Sequence, residues 1–260
     1  MDAAVWWLRG ALVSYAAGSL LGLVPWRRGR GPRALVPWCA GIGALLHSAA
    51  LLQTGWSLGR CPLATLPEVL SALAWAFTLA ALFVWWRSRL DAVLAIELPI
   101  AFVVLLLSRL LPREVLSAAG PPAAFVRFHL TVILFGVAAL SITFVASVLY
   151  LAVDRALKAK RPIAAFRRLP SLEACDRLAY RSLGVAFALL TLGILSGAVI
   201  NDAETGAPWT WRPEETLAIL AWLLLGTLVL ARLGWGWRGR RASLLMVLGF
   251  GLVLLRMLGL

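Results

Sequence analysis

Long apolar runs separated by short polar gaps fill the chain. A membrane-crossing helix needs ~20 mostly apolar residues. Eight stretches reach that length: residues 3–24, 34–53, 66–86, 92–110, 128–153, 178–200, 216–233 and 242–260. The pattern predicts an all-α fold, a polytopic integral membrane helix bundle of eight transmembrane helices forming a single domain over residues 1–260. The fourth stretch is the most broken, because Glu97 and Pro99 interrupt it. An acid inside a membrane is by default a functional hypothesis. The reading favoured here is that Glu97 lies near the inner end and reaches polar groups.

The polar gaps carry charge unevenly. Loop one holds Arg27, Arg28, Arg30 and Arg33, and loop three holds Arg87 and Arg89. Loop five holds Arg155, Lys158, Lys160, Arg161, Arg167, Arg168, Arg177 and Arg181, and loop seven holds Arg232, Arg238, Arg240 and Arg241. These eighteen face five on the other side: Arg60, Arg109, Arg113, Arg127 and Arg212. Basic loops stay in the cytoplasm, so both termini are expected outside. Within loop five, Pro170-Ser-Leu-Glu173 opens a short interfacial helix with Leu172, Cys175 and Leu178 on one face.

Composition agrees: 62% of the 260 residues are hydrophobic and 14% charged, too apolar for a soluble domain. The net charge of +13 sits in the short loops, where it sets topology and meets lipid headgroups; nucleic acid is not an expected partner. Cys39, Cys61 and Cys175 are far apart and form no CxxC pair, which speaks against a thiol-redox pair or covalently attached heme on the chain itself. Two histidines speak against a multi-histidine zinc site. The absence of a phosphate-binding loop speaks against an ATP-driven engine. The N-terminus does not read as a cleavable signal peptide, since Asp2 stands where a basic region belongs.

The most distinctive gap is Trp209-Thr-Trp-Arg-Pro-Glu-Glu-Thr216, expected on the outer side. Two readings are open. Tryptophans mark membrane interfaces in general, and Pro213 followed by Glu214 and Glu215 makes an ordinary helix start. A short aromatic, charged loop between two spans is also a place for surface chemistry. The two histidines bear on the choice. His47 lies roughly 9 Å short of the outer end of the second span at ~1.5 Å per residue, and His129 stands at the outer start of the fifth. Each singly reads as a packing residue. Together with the aromatic loop they fit a large planar apolar ligand, imidazole being the usual axial ligand of heme iron.

The stretches LPSLEACDRLAYRSLGVAFALLTLGILSGAV, WTWRPEETLAILAWLL and GWRGRRASLLMVLGFG resemble the cytochrome c assembly family, membrane heme handlers of the CcsA, CcmC and HemX types. The family's outer loop reads like WGxxWxWDPKExW, followed by a helix with a WL pair. Gly206, Trp209, Trp211, Pro213, Glu215, Trp222 and Leu223 stand at matching positions. His129, in FHLTVILFGVAALSITFVASVLYL, stands where the family places an axial histidine. The segment around His47, with Gly59, Pro62 and Glu68 after it, resembles the family's second and third spans. The resemblance covers most of residues 34–255 and is most specific over 169–251.

Five departures qualify it. Arg212 replaces the motif acid, Glu214 its lysine, and Thr205 its first tryptophan. A late seventh-span histidine falls at about Leu230, and the last outer histidine has no counterpart before Leu260. A full bis-histidine site therefore does not carry over, and the shorter HemX-like branch is a candidate relative. The resemblance implies non-covalent heme b held by Trp209, Trp211, Arg212 and Glu215, with His129 and His47 toward the metal. It also implies a bacterial cytoplasmic membrane protein working with another membrane assembly subunit and apocytochrome c. By itself the chain is not expected to be an enzyme; at most it is one component of a heme-ligation system. The alternatives are a HemX-like regulator of heme biosynthesis acting through the cytoplasmic loops, and a small-molecule transporter.

Overall fold

The computed structural model describes residues 2–23, 34–112, 123–159 and 170–257. The arginines of loop one, Arg113 and the stretch from Lys160 to Arg168 lie outside the described residues. Among the described residues the chain forms eight α-helices in two compact units. The first unit holds α1 (Asp2–Leu23), α2 (Val36–Leu58), α3 (Leu66–Ser88) and α4 (Asp91–Leu110). The second holds α5 (Ala123–Lys158), α6 (Leu172–Thr205), α7 (Pro213–Trp235) and α8 (Arg240–Met257). Each helix falls on one of the eight apolar runs. Helices α2 to α7 are long and apolar enough to cross a membrane. Of the other two, α8 is 18 residues long and opens on Arg240 and Arg241.

Helix starts follow local chemistry. Thr65 caps α3 by accepting the Glu68 N–H at 3.3 Å, and Pro67 sits in its first turn. The Arg60 guanidinium forks onto Glu68, 2.9 Å to each oxygen, while the Ala64 N–H donates to the same carboxylate at 2.8 Å. In α4, Pro99 leaves the helix unbroken from Asp91 to Leu110, and Glu97 is fully buried. Neighbouring helices commonly accommodate proline inside a membrane helix.

The short interfacial helix expected from residue 170 is instead the first two turns of α6. Ser171 caps it by accepting the Ala174 N–H at 3.1 Å, and the helix then runs on for 34 residues. No helix breaker separates Leu172 from the span, so the backbone has no reason to stop. At ~1.5 Å per residue α6 is ~51 Å long, well beyond a ~30 Å hydrocarbon layer. A helix of that length exceeds the layer at one end or both. In its first turns Asp176 takes a bidentate pair from Arg232 of α7, at 2.6 and 3.2 Å, with both side chains largely buried. This pair ties the start of α6 to the end of α7 and fixes the two as an antiparallel hairpin. The tryptophan loop closes the hairpin's other end.

Candidate functional site

The loop is built residue by residue. Gly206 ends α6 with φ 75°, and its N–H donates to Asp202 O at 2.8 Å. That left-handed turn suits glycine. Asn201 Nδ2 then holds Ala207 O at 2.9 Å. Arg212 is extended, and Pro213 opens α7. Just before Arg212, Trp211 takes φ 57°, rare for an aromatic residue. Glu215 holds it there. Its carboxylate accepts the Thr210 N–H at 2.8 Å, the Thr210 hydroxyl at 2.6 Å and the Trp211 N–H at 2.9 Å. One side chain from the first turn of α7 thus organises the loop that precedes it.

Beneath the loop lies a cavity of about 220 Å³ within the second unit. Its walls come from α5, α6, α7, α8 and the loop, and are mostly apolar: Ile133, Val137, Leu190, Ile194 and Ala218 among them. His129, Trp209 and Trp222 face it, and Asn201, Glu204 and Glu215 supply its polar groups. Trp222 is fixed twice: its ring stacks on Phe187 at 5.5 Å and 20°, and its Nε1 donates to Thr191 Oγ1 at 2.8 Å. His129 Nδ1 lies 2.9 Å from Ser196 Oγ.

The expected site residues are distributed unevenly. His129, Trp209 and Glu215 line one cavity, though His129 and Trp209 are 80 residues apart in sequence. Trp211 is 72% exposed, and Arg212 is also exposed; neither lines the cavity. The ion pairs among the described residues do not include Arg212. His47 belongs to the first unit and is fully buried. Its Nε2 lies 3.0 Å from Ser71 Oγ and its Nδ1 3.3 Å from Tyr15 Oη, so both ring nitrogens are engaged. Ser196, Asn201 and Glu204 escape sequence reasoning. Their only signal is a place within one helix turn or two of the small-residue stretch Gly193 to Gly197.

The donor set is informative. A bare ion needs several ligands, and among the described residues no three His, Cys, Asp or Glu side chains gather to hold one. One imidazole can supply the single axial nitrogen that a metal macrocycle takes. Two indoles on the same cavity offer flat apolar surface to a ring. At about 220 Å³ the space is below the ~300–1,000 Å³ typical of ligand pockets.

The sequence matches the cytochrome c assembly protein family over residues 63–260. It is 34% identical over 235 residues to the cytochrome c biogenesis protein CcsA of Synechococcus sp. (strain CC9902), covering 80% of this chain and 77% of that protein. It is 32% identical over 239 residues to CcsA of Guillardia theta, covering 84% and 79%. Against CcsA of Synechococcus sp. (strain CC9605) the identity is 33% over 242 residues, covering 83% and 79%.

Proposed function

The chain belongs to the cytochrome c assembly protein family, and on that premise we propose that it holds heme b without a covalent bond and presents it for cytochrome c assembly. The presentation takes place at the outer face of a bacterial cytoplasmic membrane. A role in cytochrome c biogenesis comes with the relatives, each named a cytochrome c biogenesis protein. The single observation that carries the heme reading is the cavity shared by His129, Trp209 and Trp222.

Heme here is cargo, and it brings the vinyl groups that a cytochrome's cysteines take up. The chain's own residues bind and orient it. His129 offers an imidazole nitrogen to the iron. Trp209 lies on the porphyrin face, and burial of that face is the main attraction. Trp222, locked by Phe187 and Thr191, forms a rigid wall. Glu204 and Glu215 put carboxylates on the cavity and so disfavour propionates inside it. Propionates would instead favour the exposed loop, where the planar fork of Arg212 matches a carboxylate. Trp211, on the same loop and exposed, would offer the ring a further aromatic face. His47 is a weaker candidate for a second ligand, because ligation would require its ring to leave Tyr15 or Ser71. The partners are apocytochrome c and another membrane assembly subunit.

The test is the absorption spectrum of the detergent-purified chain, oxidised and reduced. A Soret band that shifts on reduction is expected. Full-length protein that stays colourless after incubation with hemin would remove the heme reading and leave transport of another small molecule. Capture of a soluble heme-biosynthesis enzyme on the cytoplasmic loops would turn the reading toward regulation.

A further inference from the structure

Ser196 is 5% exposed and belongs to α6. Its Oγ lies 2.7 Å from Leu192 O and 3.1 Å from Gly193 O. A serine inside a helix commonly donates its one hydroxyl proton back to the preceding turn, and the short contact to Leu192 O marks that choice here. What Ser196 then turns toward His129 is a lone pair. Nδ1 of His129 stands 2.9 Å away. Two lone pairs do not bond, so with the Ser196 proton directed to Leu192 O the hydrogen between these atoms would belong to Nδ1.

We infer that Ser196 is a positioning residue that fixes His129 in the Nδ1–H tautomer and thereby commits Nε2 to the iron. The inference rests on the heme reading above. The neighbour of Ser196 completes the seat. A Cβ at Gly197 would lie 3.0 Å from His129 Cε1, so the ring packs against backbone that only glycine leaves bare. One residue sets the protonation pattern of the ring, and the next sets its plane. A metal-bound histidine is usually oriented through its second nitrogen by a carboxylate, carbonyl or water, which also raises its basicity. A serine hydroxyl is a neutral and weaker acceptor than a carboxylate. It orients the ring while adding little to the strength of the iron bond, which suits a cargo that must leave.

The experiment uses the full chain in detergent with ¹⁵N-labelled histidine, before and after titration with hemin. Signals are assigned with His129→Gln. In the heme-free wild type, His129 should carry its proton on Nδ1. Ser196→Ala should shift it toward Nε2–H and weaken hemin binding about tenfold, the lower end for loss of such a partner. Ser196→Thr, which keeps the hydroxyl, should keep the tautomer and bind hemin within a few-fold of wild type. An Nε2–H tautomer in the wild type overturns the inference whatever the variants do. So does a Ser196→Thr protein that loses hemin as Ser196→Ala does, because packing rather than the hydroxyl would then be responsible. Equal hemin binding by wild type and His129→Gln strikes instead at the heme reading itself. If His129→Gln loses hemin while Ser196→Ala keeps both affinity and tautomer, the heme reading stands and the role of Ser196 falls.

Discussion

The Trp211 N–H donates to Glu215 Oε2 at 2.9 Å, and Trp211 itself sits at φ 57°. A backbone conformation of this kind costs roughly 1–3 kcal/mol and persists only where its surroundings impose it. Glu215 does so from the first turn of the following helix.

Glu215→Ala is therefore expected to free the loop without melting α7. The loss is the two backbone N–H bonds and one hydroxyl bond that the carboxylate accepts. Bonds to a charged group contribute about 1.5–3 kcal/mol each, discounted here because Glu215 is only half-buried. Protease nicking between Ala207 and Arg212 should rise sharply, and hemin affinity should fall. Helical content should stay within error. A variant with an unchanged cleavage pattern would show that the loop holds its shape without Glu215.

The two histidines should separate in their effects. His129→Ala should strip most heme from the purified protein. His47→Ala removes the shared partner of two buried hydroxyls, Tyr15 and Ser71. A buried hydroxyl left without its partner costs about 1–3 kcal/mol, so the thermal midpoint should drop. Heme content per folded molecule should barely change. Equal heme content in wild type and the double variant would remove both histidines from the site.

Arg212 tests the orientation of the cargo. It is exposed at the start of α7, with no cap bond of its own, so Arg212→Gln should leave stability within ~0.5 kcal/mol. Hemin affinity should nonetheless fall several-fold, with Arg212→Lys recovering part. Hemin dimethyl ester, which lacks charged propionates, should bind wild type and Arg212→Gln alike. If Arg212→Gln binds free hemin as tightly as wild type, the guanidinium does not meet a propionate.

Topology follows from the charge asymmetry of the loops. A reporter active only in the cytoplasm, fused after Leu260, should be silent, and the same reporter inserted between Arg238 and Arg240 should be active. A strong signal at the C-terminus would mean that the number or direction of crossings differs from the expected eight.

Sequence alone determined the parts of this protein that one stretch of chain can specify. The eight apolar runs became eight helices, because backbone in a lipid phase must satisfy its own hydrogen bonds and a helix does so within one segment. Pro213 with its two acids marked the start of α7, and the spacing of Gly206, Trp209 and Trp211 marked the loop. Tertiary structure decided which residues meet. A membrane helix is apolar on nearly every face, so periodicity barely says which face packs inward, and small residues and polar contacts choose partners instead. Ser196 and His129 meet across 67 residues, and Trp222 and Thr191 across 31. Glu215, read as one acid of an ordinary helix start, turned back to hold the loop before it. Ser171 and the unbroken run after it made one long α6 where amphipathicity had suggested a separate surface helix. The cavity that joins His129 to Trp209 exists only because α5, α6 and α7 pack side by side, and no local pattern encodes that.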